Sequence, residues 1–338
     1  MAQQQEDEAV LDLKEGYRRS AGARDLRAAV YCFSGERQIP PGPEKSASYQ
    51  AARASFEKAI ELMPLPLEHV EVNAPDGILP GYLIQAATKK PAPVVIFYSG
   101  FDVLKEMLSC FIHEEFAHRG ISCLVIDTPG VGEPLRLRNV ASRPDYEVPT
   151  RAIVDYLETR ADIDSSRIGI LGISLGYYAP RSAALERRIK ACVAWGAIWD
   201  DGVVWQKRWA ARSKGISVPF FQRPWVMGTK TMEEALERVK QWTLADVLPR
   251  LKQPFLILHG ENDLAIPLDD ARKAHAAAGS TDKQLRIFTV AQGGAEHVQA
   301  DQPDQARQLI ADWFAQRLSQ TVARNALKNP PEQISFRV

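Results

Sequence analysis

Several things are scarce in this chain of 338 residues, and each scarcity removes a class of protein. Only four cysteines are present, at 32, 110, 123 and 192. None are close-paired and none have zinc-site spacing, so neither a disulfide framework nor a cysteine metal knuckle is expected. Free thiols in a reducing compartment are the plain reading. Net charge is also absent, since Lys+Arg and Asp+Glu both number 42. That balance gives no electrostatic reason to bind nucleic acid or a membrane surface. Long apolar runs are missing too. Val94 to Tyr98 is among the longest, and five residues are far too few to span a bilayer. The polar, acidic start Met1-Ala2-Gln3-Gln4-Gln5-Glu6-Asp7-Glu8 lacks the basic and apolar regions of a signal peptide. A soluble cytoplasmic protein is expected. Internal repeats, low-complexity tracts, phosphate loops and dinucleotide fingerprints are absent. Gly130-Val131-Gly132 lacks the rest of such a fingerprint and reads as a turn shaping a cleft.

What is present is ordinary globular material, 45% apolar and 25% charged. Residues 1–66 carry helix-like spacing: Leu11, Leu13 and Tyr17; Leu26, Val30 and Phe33; Tyr49, Ala52, Phe56, Ile60 and Met63. Ile39-Pro40-Pro41-Gly42-Pro43 interrupts it, so a three-helix accessory domain is expected. It serves either as a brace or dimer surface, or as part of a pocket wall. From residue 67 the period changes. Val70 to Val72 and Gly81 to Ile84 read as paired strands around Pro75-Asp76-Gly77. Strands at 94–98, 121–127, 168–173, 191–195, 255–258 and 285–290 then alternate with helices at 105–118, 148–159, 175–186, 269–278 and 304–318. That alternation predicts an α/β fold, a mostly parallel sheet flanked by helices.

The core is expected over 67–198 and 249–322, with a polar tail at 323–338. Residues 199–248 break the alternation and hold five of the seven tryptophans. They read as a helical cap over a cleft. Its rings either form the cap's own core or line an apolar, aromatic-binding pocket. Trp199, Trp205 and Trp209 are the candidate substrate contacts. Asp200 and Asp201, at the cap entrance, either cap a helix or serve the substrate as an extra acid or hydroxyl contact.

The sharpest signal is Gly172-Ile173-Ser174-Leu175-Gly176. It follows the apolar strand Ile168 to Leu171 and precedes a helical pattern, the context in which G-x-S-x-G presents a nucleophile on a tight strand-to-helix turn. A serine hydroxyl needs a base. Of six histidines, His259, His275 and His297 follow Ser174. In the order nucleophile, acid, histidine, His297 is the base, lying in a loop after a strand where open α/β sheets bind ligands. His259 also ends a strand but precedes the acid. The loop His259 to Pro267 offers Glu261 and Asp263, and Asp263 stands at the acid position of a G-x-x-D loop. It would fix the imidazole tautomer. Asp269 and Asp270 read as helix caps. An oxyanion hole needs two backbone N–H groups. Leu175, after the nucleophile, supplies one, and the loop Ser99-Gly100-Phe101-Asp102 the other, at Phe101. Gly100 and Asp102 are further candidates for substrate contact.

These residues identify the chain as a member of the α/β-hydrolase superfamily. More narrowly, it resembles the group containing 2,6-dihydroxypseudooxynicotine hydrolase and the fungal yellowish-green-type heptaketide hydrolases. The likeness rests on Gly100-Phe101-Asp102 with Lys105-Glu106, on Asp127-Thr128-Pro129-Gly130-Val131-Gly132-Glu133, and on Arg143-Pro144-Asp145-Tyr146-Glu147. Tyr178 to Ala184, Arg187 to Ala194 and the Phe56-Glu57-Lys58-Ala59 helix extend it. The resemblance implies a metal-free, cofactor-free Ser174–His297–Asp263 hydrolase that cleaves a C–C bond beside a ketone, and a homodimer. Its substrate would be a β-dicarbonyl, aryl-ketone or polyketide-like small molecule, apolar or aromatic. Tyr177 departs from the group's second glycine, which points to an altered pocket floor or helix packing. An esterase or lactonase with the same three residues is the alternative, because the reactions differ only at the leaving group. A non-catalytic binding protein on this scaffold is a third reading, which the intact residue set opposes.

Overall fold

The computed structural model describes residues 1–319 except 64, 89, 102 and 212–217. Asp102 and the tail at 323–338 therefore lie outside the described residues. Three helices open the chain: α1 (Ala2–Lys14), α2 (Arg18–Glu36) and α3 (Pro43–Leu62). Pro43 stands at the start of α3, where a missing N–H costs no hydrogen bond. Phe33, Tyr49 and Phe56 are buried together with Tyr82 and Leu104, so this unit packs on the body of the protein. The spacing predicted these helices, yet Leu11, Leu13, Tyr17 and Val30 lie on exposed faces. Helical periodicity reports a face, not what covers it.

The eight strands are β1 (Leu67–Ala74), β2 (Gly77–Ile84), β3 (Ala92–Tyr98), β4 (Ser122–Ile126), β5 (Ile163–Ile173), β6 (Ile189–Trp195), β7 (Phe255–Gly260) and β8 (Lys283–Phe288). They form one sheet in the order β1-β2-β4-β3-β5-β6-β7-β8. β2 is antiparallel to both β1 and β4, and every other pairing is parallel. Strand β3 shows why both faces must be covered. Val94, Ile96 and Tyr98 point into one core layer and Val95 and Phe97 into the other, all fully buried. The two layers are closed by α4 (Lys105–Ala117), α5 (Gly132–Arg138), α6 (Glu147–Glu158), α7 (Tyr178–Leu185), α11 (Leu268–Ala277) and α12 (Pro303–Leu318). Ile153, Leu157 and Ala183 cover one face, and Ile112, Phe116, Ile310 and Phe314 the other.

Several elements differ from the sequence reading, and β5 begins at Ile163 rather than Ile168. Gly132, read as the end of the turn Gly130-Val131-Gly132, instead starts the short helix α5, with Asn139 in the left-handed region after it. The helix after the elbow begins at Tyr178, three residues later than the spacing suggested.

Between β6 and β7 the inserted segment supplies α8 (Asp201–Ala211), α9 (Gln222–Met227) and α10 (Met232–Arg238). Asp200 pairs with Thr243 as an isolated antiparallel bridge. Asp201 N–H donates to Trp242 O and Leu244 N–H to Trp199 O, each at 3.0 Å. Trp242 is fully buried and belongs to the same buried cluster as Val94, Ile96 and Ile170 of the sheet. The segment also touches the N-terminal unit. Gln222 Nε2 donates to Arg37 O at 2.7 Å, and Lys45 Nζ sits 5.0 Å above the Trp225 ring.

Candidate active site

Ser174 leaves β5 on a left-handed backbone, φ +64°. A non-glycine residue there is strained by roughly 1–3 kcal/mol and needs its surroundings to hold it. Ser174 N–H donates to Trp195 O at 2.7 Å, which ties the turn to β6. Gly176 is required beside it, because a Cβ there would stand 2.4 Å from Gly196 O. Gly100 serves the same crowding from β3's exit loop, where a Cβ would stand 2.7 Å from Ser174 Cβ.

Three chain-distant side chains meet at this turn. Ser174 Oγ lies 2.8 Å from His297 Nε2, and His297 Nδ1 lies 2.8 Å from Asp263 Oδ2. Asp263 is anchored in turn. Its Oδ1 accepts from Ala265 N–H and Ile266 N–H, each at 2.8 Å. Burial pushes this carboxyl upward, but the bonds from His297 and Ile266 and the nearby His259 together hold it below the usual carboxylate range. Asp263 is therefore an ionised acceptor for the imidazole N–H. His259 makes no bond to Ser174 or His297, but its Nε2 stands 3.6 Å from Asp263 Oδ2. It is buried, its Nε2 bonds Ile266 O at 3.0 Å, and burial lowers its pKa. Glu261 turns away to accept from Val290 N–H.

The His297 loop carries its own strain. Val298 and Gln299 adopt φ +48° and +53°. Asp301 holds the preceding turn, its Oδ2 accepting from Gly294 N–H at 2.9 Å and Ala295 N–H at 3.1 Å, and its Oδ1 from Glu296 N–H at 3.1 Å. Gln299 Oε1 accepts from the buried Trp195 Nε1 at 2.6 Å. Sequence reasoning passed over both residues. An aspartate four places after the candidate base, just ahead of a proline-started helix, was the available signal.

The Leu175 and Phe101 N–H groups have no hydrogen-bond partner among the described residues. Phe101 is fixed from two sides. Its ring meets Trp205 of α8 at 5.4 Å between centroids. Its loop continues into Leu104, packed on the N-terminal unit, and Lys105, whose backbone N–H donates to Asp127 Oδ1 at 3.1 Å. Lys105 Nζ is buried between Glu106 at 2.6 Å and Asp127 at 3.0 Å.

Ser174 and His297 open onto a cleft of about 450 Å³, within the range of small-molecule sites. Its walls are mostly apolar: Phe101, Leu175, Ile198, Val204, Trp205 and Ile266. Asp201, Arg208, Glu296 and the N-terminal unit's Arg37 bring polar groups to it. Burial lowers the Arg208 pKa, partly opposed by Asp201 and Asp263. Of the sequence candidates, Phe101, Ser174, Leu175, Asp201, Trp205 and His297 line the cleft. Besides Gly100 and Asp263, four others do not. Tyr177 is fully buried, with its hydroxyl donating to Pro144 O at 2.8 Å, so its role is helix packing. Trp199 packs on the core and takes Asp270 Oδ2 at its N–H. Trp209 stacks edge-on against Phe220. Asp200 accepts from Val203 N–H and caps α8.

Comparison with known proteins agrees with this architecture. A family model described as "Esterase FrsA-like" matches residues 19–319. The 2,6-dihydropseudooxynicotine hydrolase of Paenarthrobacter nicotinovorans is 33% identical over 274 residues, spanning 79% of this chain and 70% of that protein. The 20-hydroxy-prefusarin hydrolase FUS2 of Gibberella moniliformis is 28% identical over 314 residues, 80% of this chain and 74% of that protein. Hydrolase ORFZ of Pyricularia oryzae matches 51% of this chain at 33% identity, but only 43% of its own length is covered. Among solved structures, 2,6-dihydroxy-pseudo-oxynicotine hydrolase superposes with a TM-score of 0.78 at 28% identity, over 94% of this chain and 86% of that one. AbyA5, at 19% identity and a TM-score of 0.66 over 93% and 92% of the two chains, shares the fold. The chain belongs to the FrsA-like esterase family and is a hydrolase of the α/β-hydrolase fold.

Proposed function

We propose that this hydrolase cleaves a C–C bond beside a ketone in a β-dicarbonyl, aryl-ketone or polyketide-like substrate, with Ser174, His297 and Asp263 as its catalytic triad. The observation that carries the triad is the continuous 2.8 Å and 2.8 Å relay from Ser174 Oγ through His297 to Asp263, opening on an apolar cleft. The C–C assignment is supported by the matched relatives whose printed names are those of a pseudooxynicotine and a prefusarin hydrolase.

In this reading His297 Nε2 takes the Ser174 proton as Oγ attacks the substrate carbonyl. Asp263 stabilises the imidazolium. The unpaired N–H groups of Leu175 and Phe101 hold the oxyanion, the largest single electrostatic contribution in such sites. Collapse of the tetrahedral adduct breaks the C–C bond. The carbon leaves as an enolate stabilised by its own second carbonyl and is protonated from the imidazolium. Water, deprotonated by His297, then attacks the acyl-serine and releases the acid. Residues 1–66 act as an accessory domain, 67–198 with 249–322 as the core, and 199–248 as a cap that excludes water. The active species is a homodimer, checked by light scattering at twice the chain mass.

The second reading is a carboxylesterase or lactonase on the same triad, favoured by the printed description of the family model. Incubation with 1-phenylbutane-1,3-dione and with phenyl acetate separates the two. Turnover of the diketone is the expected result. Rapid ester cleavage without diketone cleavage overturns the C–C reading.

A further inference from the structure

One cation in the cleft has no partner of opposite charge among the described residues. Arg208 stands on α8, half-buried, and lines the cleft with Ser174 and His297. Its Nη2 donates to the backbone oxygen of Ala265, in the loop that carries Asp263, and its guanidinium lies 5.3 Å from the Trp205 ring centroid. Those two contacts fix the group and leave Nε and Nη1 without a hydrogen-bond partner among the described residues. Neither nitrogen is sealed from solvent, unlike Nε and Nη1 of the fully buried Arg223 on α9.

The acids nearby are already committed. Asp201 pairs with Arg223, and Asp263 with His297. Glu296 lines the cleft too, but no ion pair joins it to Arg208. Arg37 of the N-terminal unit brings a second positive charge to the cleft. Burial lowers the Arg208 pKa against the pull of Asp201 and Asp263, so the charge is incompletely compensated where it stands. An anion from outside would offset that deficit. The planar fork of a guanidinium matches the two oxygens of a carboxylate, and such charge-assisted bonds are roughly twice as strong as neutral ones.

We propose that Arg208 binds a carboxylate of the substrate, so that acidic aryl or polyketide-like β-dicarbonyl compounds are preferred over their neutral counterparts. The β-dicarbonyl part rests on the function proposed above; the carboxylate contact does not. The apolar wall formed by Phe101, Val204 and Trp205 receives the rest of the molecule.

The test uses the full-length Ser174→Ala protein, which binds without turnover, and calorimetric titration with 4-phenyl-2,4-dioxobutanoate and 4-phenyl-2,4-dioxobutanamide. The two compounds share the ring, the diketone and its enol, and differ in one charge. The acid should bind about tenfold or more tightly than the amide, as expected of hydrogen bonds between charged groups. Adding Arg208→Gln or Arg208→Met should bring that ratio to about twofold or less, with the amide affinity held within about twofold as the sign of an intact cleft. Equal binding of the two compounds by the Ser174→Ala protein, or binding of neither, overturns the proposal. So does a ratio that survives both substitutions. A loss of both compounds alike in both variants also overturns it, because Arg208 would then support the cleft wall rather than hold the carboxylate. Turnover of 1-phenylbutane-1,3-dione by the wild-type protein is scored apart. Its absence overturns the C–C reading and leaves the binding ratio standing.

Discussion

Two charge clusters flank the loop that carries Phe101, and they differ in access. On one side His297 keeps 29% of its side chain exposed over a buried Asp263. On the other, Lys105, Glu106 and Asp127 are sealed, with side-chain exposures of 1%, 0% and 0%. Tyr49 of α3 donates to Glu106 Oε1 at 3.3 Å, and Arg53 of α3 reaches Glu133 at 3.1 Å. The sealed cluster therefore joins the N-terminal unit to the loop. Both clusters are ionic and hydrogen-bonded. Only the first opens on the cleft that Ser174 lines, and a buried charge network does not by itself mark a functional site. Exposure to the cleft and a nucleophile in reach separate chemistry from scaffolding.

Four measurements break or sharpen that contrast. The largest effect belongs to the open cluster. Ser174→Ala or His297→Ala should reduce kcat on a turned-over substrate by about 10⁴-fold or more, with an unchanged unfolding midpoint for Ser174→Ala. Asp263→Asn comes next, with a loss of about 10³–10⁴-fold in kcat, because the imidazole loses its tautomer and its counter-charge. Lys105→Met should act in the opposite manner. It strands Asp127 and Glu106 without a cation and should cost about 3–5 kcal/mol in urea unfolding. A Lys105→Met protein that is fully stable but inactive would erase the distinction between the clusters.

The smallest effect is a pH dependence of stability. Asp263 is lowered on folding, so the stability it contributes is complete above the unfolded carboxylate value of about 3.9 and is lost as pH falls through the folded value. His259 is also lowered, by burial. A neutral buried histidine contributes fully above about 6.5 and loses that contribution as pH falls further. Urea midpoints should thus decline from about pH 6.5 downward and again below about pH 4. A His259→Gln protein should show a weaker decline in the upper range.

How far the sequence could be read follows the same physics. The sheet was legible because its strands are short apolar runs bounded by turns, and the parallel core makes them apolar on both faces. Ser174 was legible because crowding at the turn demands glycines at fixed spacing. His297 and Asp263 followed from chain order and strand ends, which the topology imposes. The cap aromatics were not, because a tryptophan buried inside the cap and one facing the cleft have the same sequence. Trp242 is buried, Trp209 is half-buried against Phe220, and Trp205 lines the cleft. Asp301 carried no periodic signal, since its partners are fixed by loop geometry. Leu11 and Tyr17 carried a false one, because an apolar stripe does not state whether anything packs on it.

The Asp200–Thr243 bridge has an evolutionary consequence. A segment that enters and leaves its host side by side closes on itself, so its interior can lengthen, shorten or be exchanged while strands β6 and β7 keep their register. Changes of length within this segment can then leave the sheet beneath it unaltered.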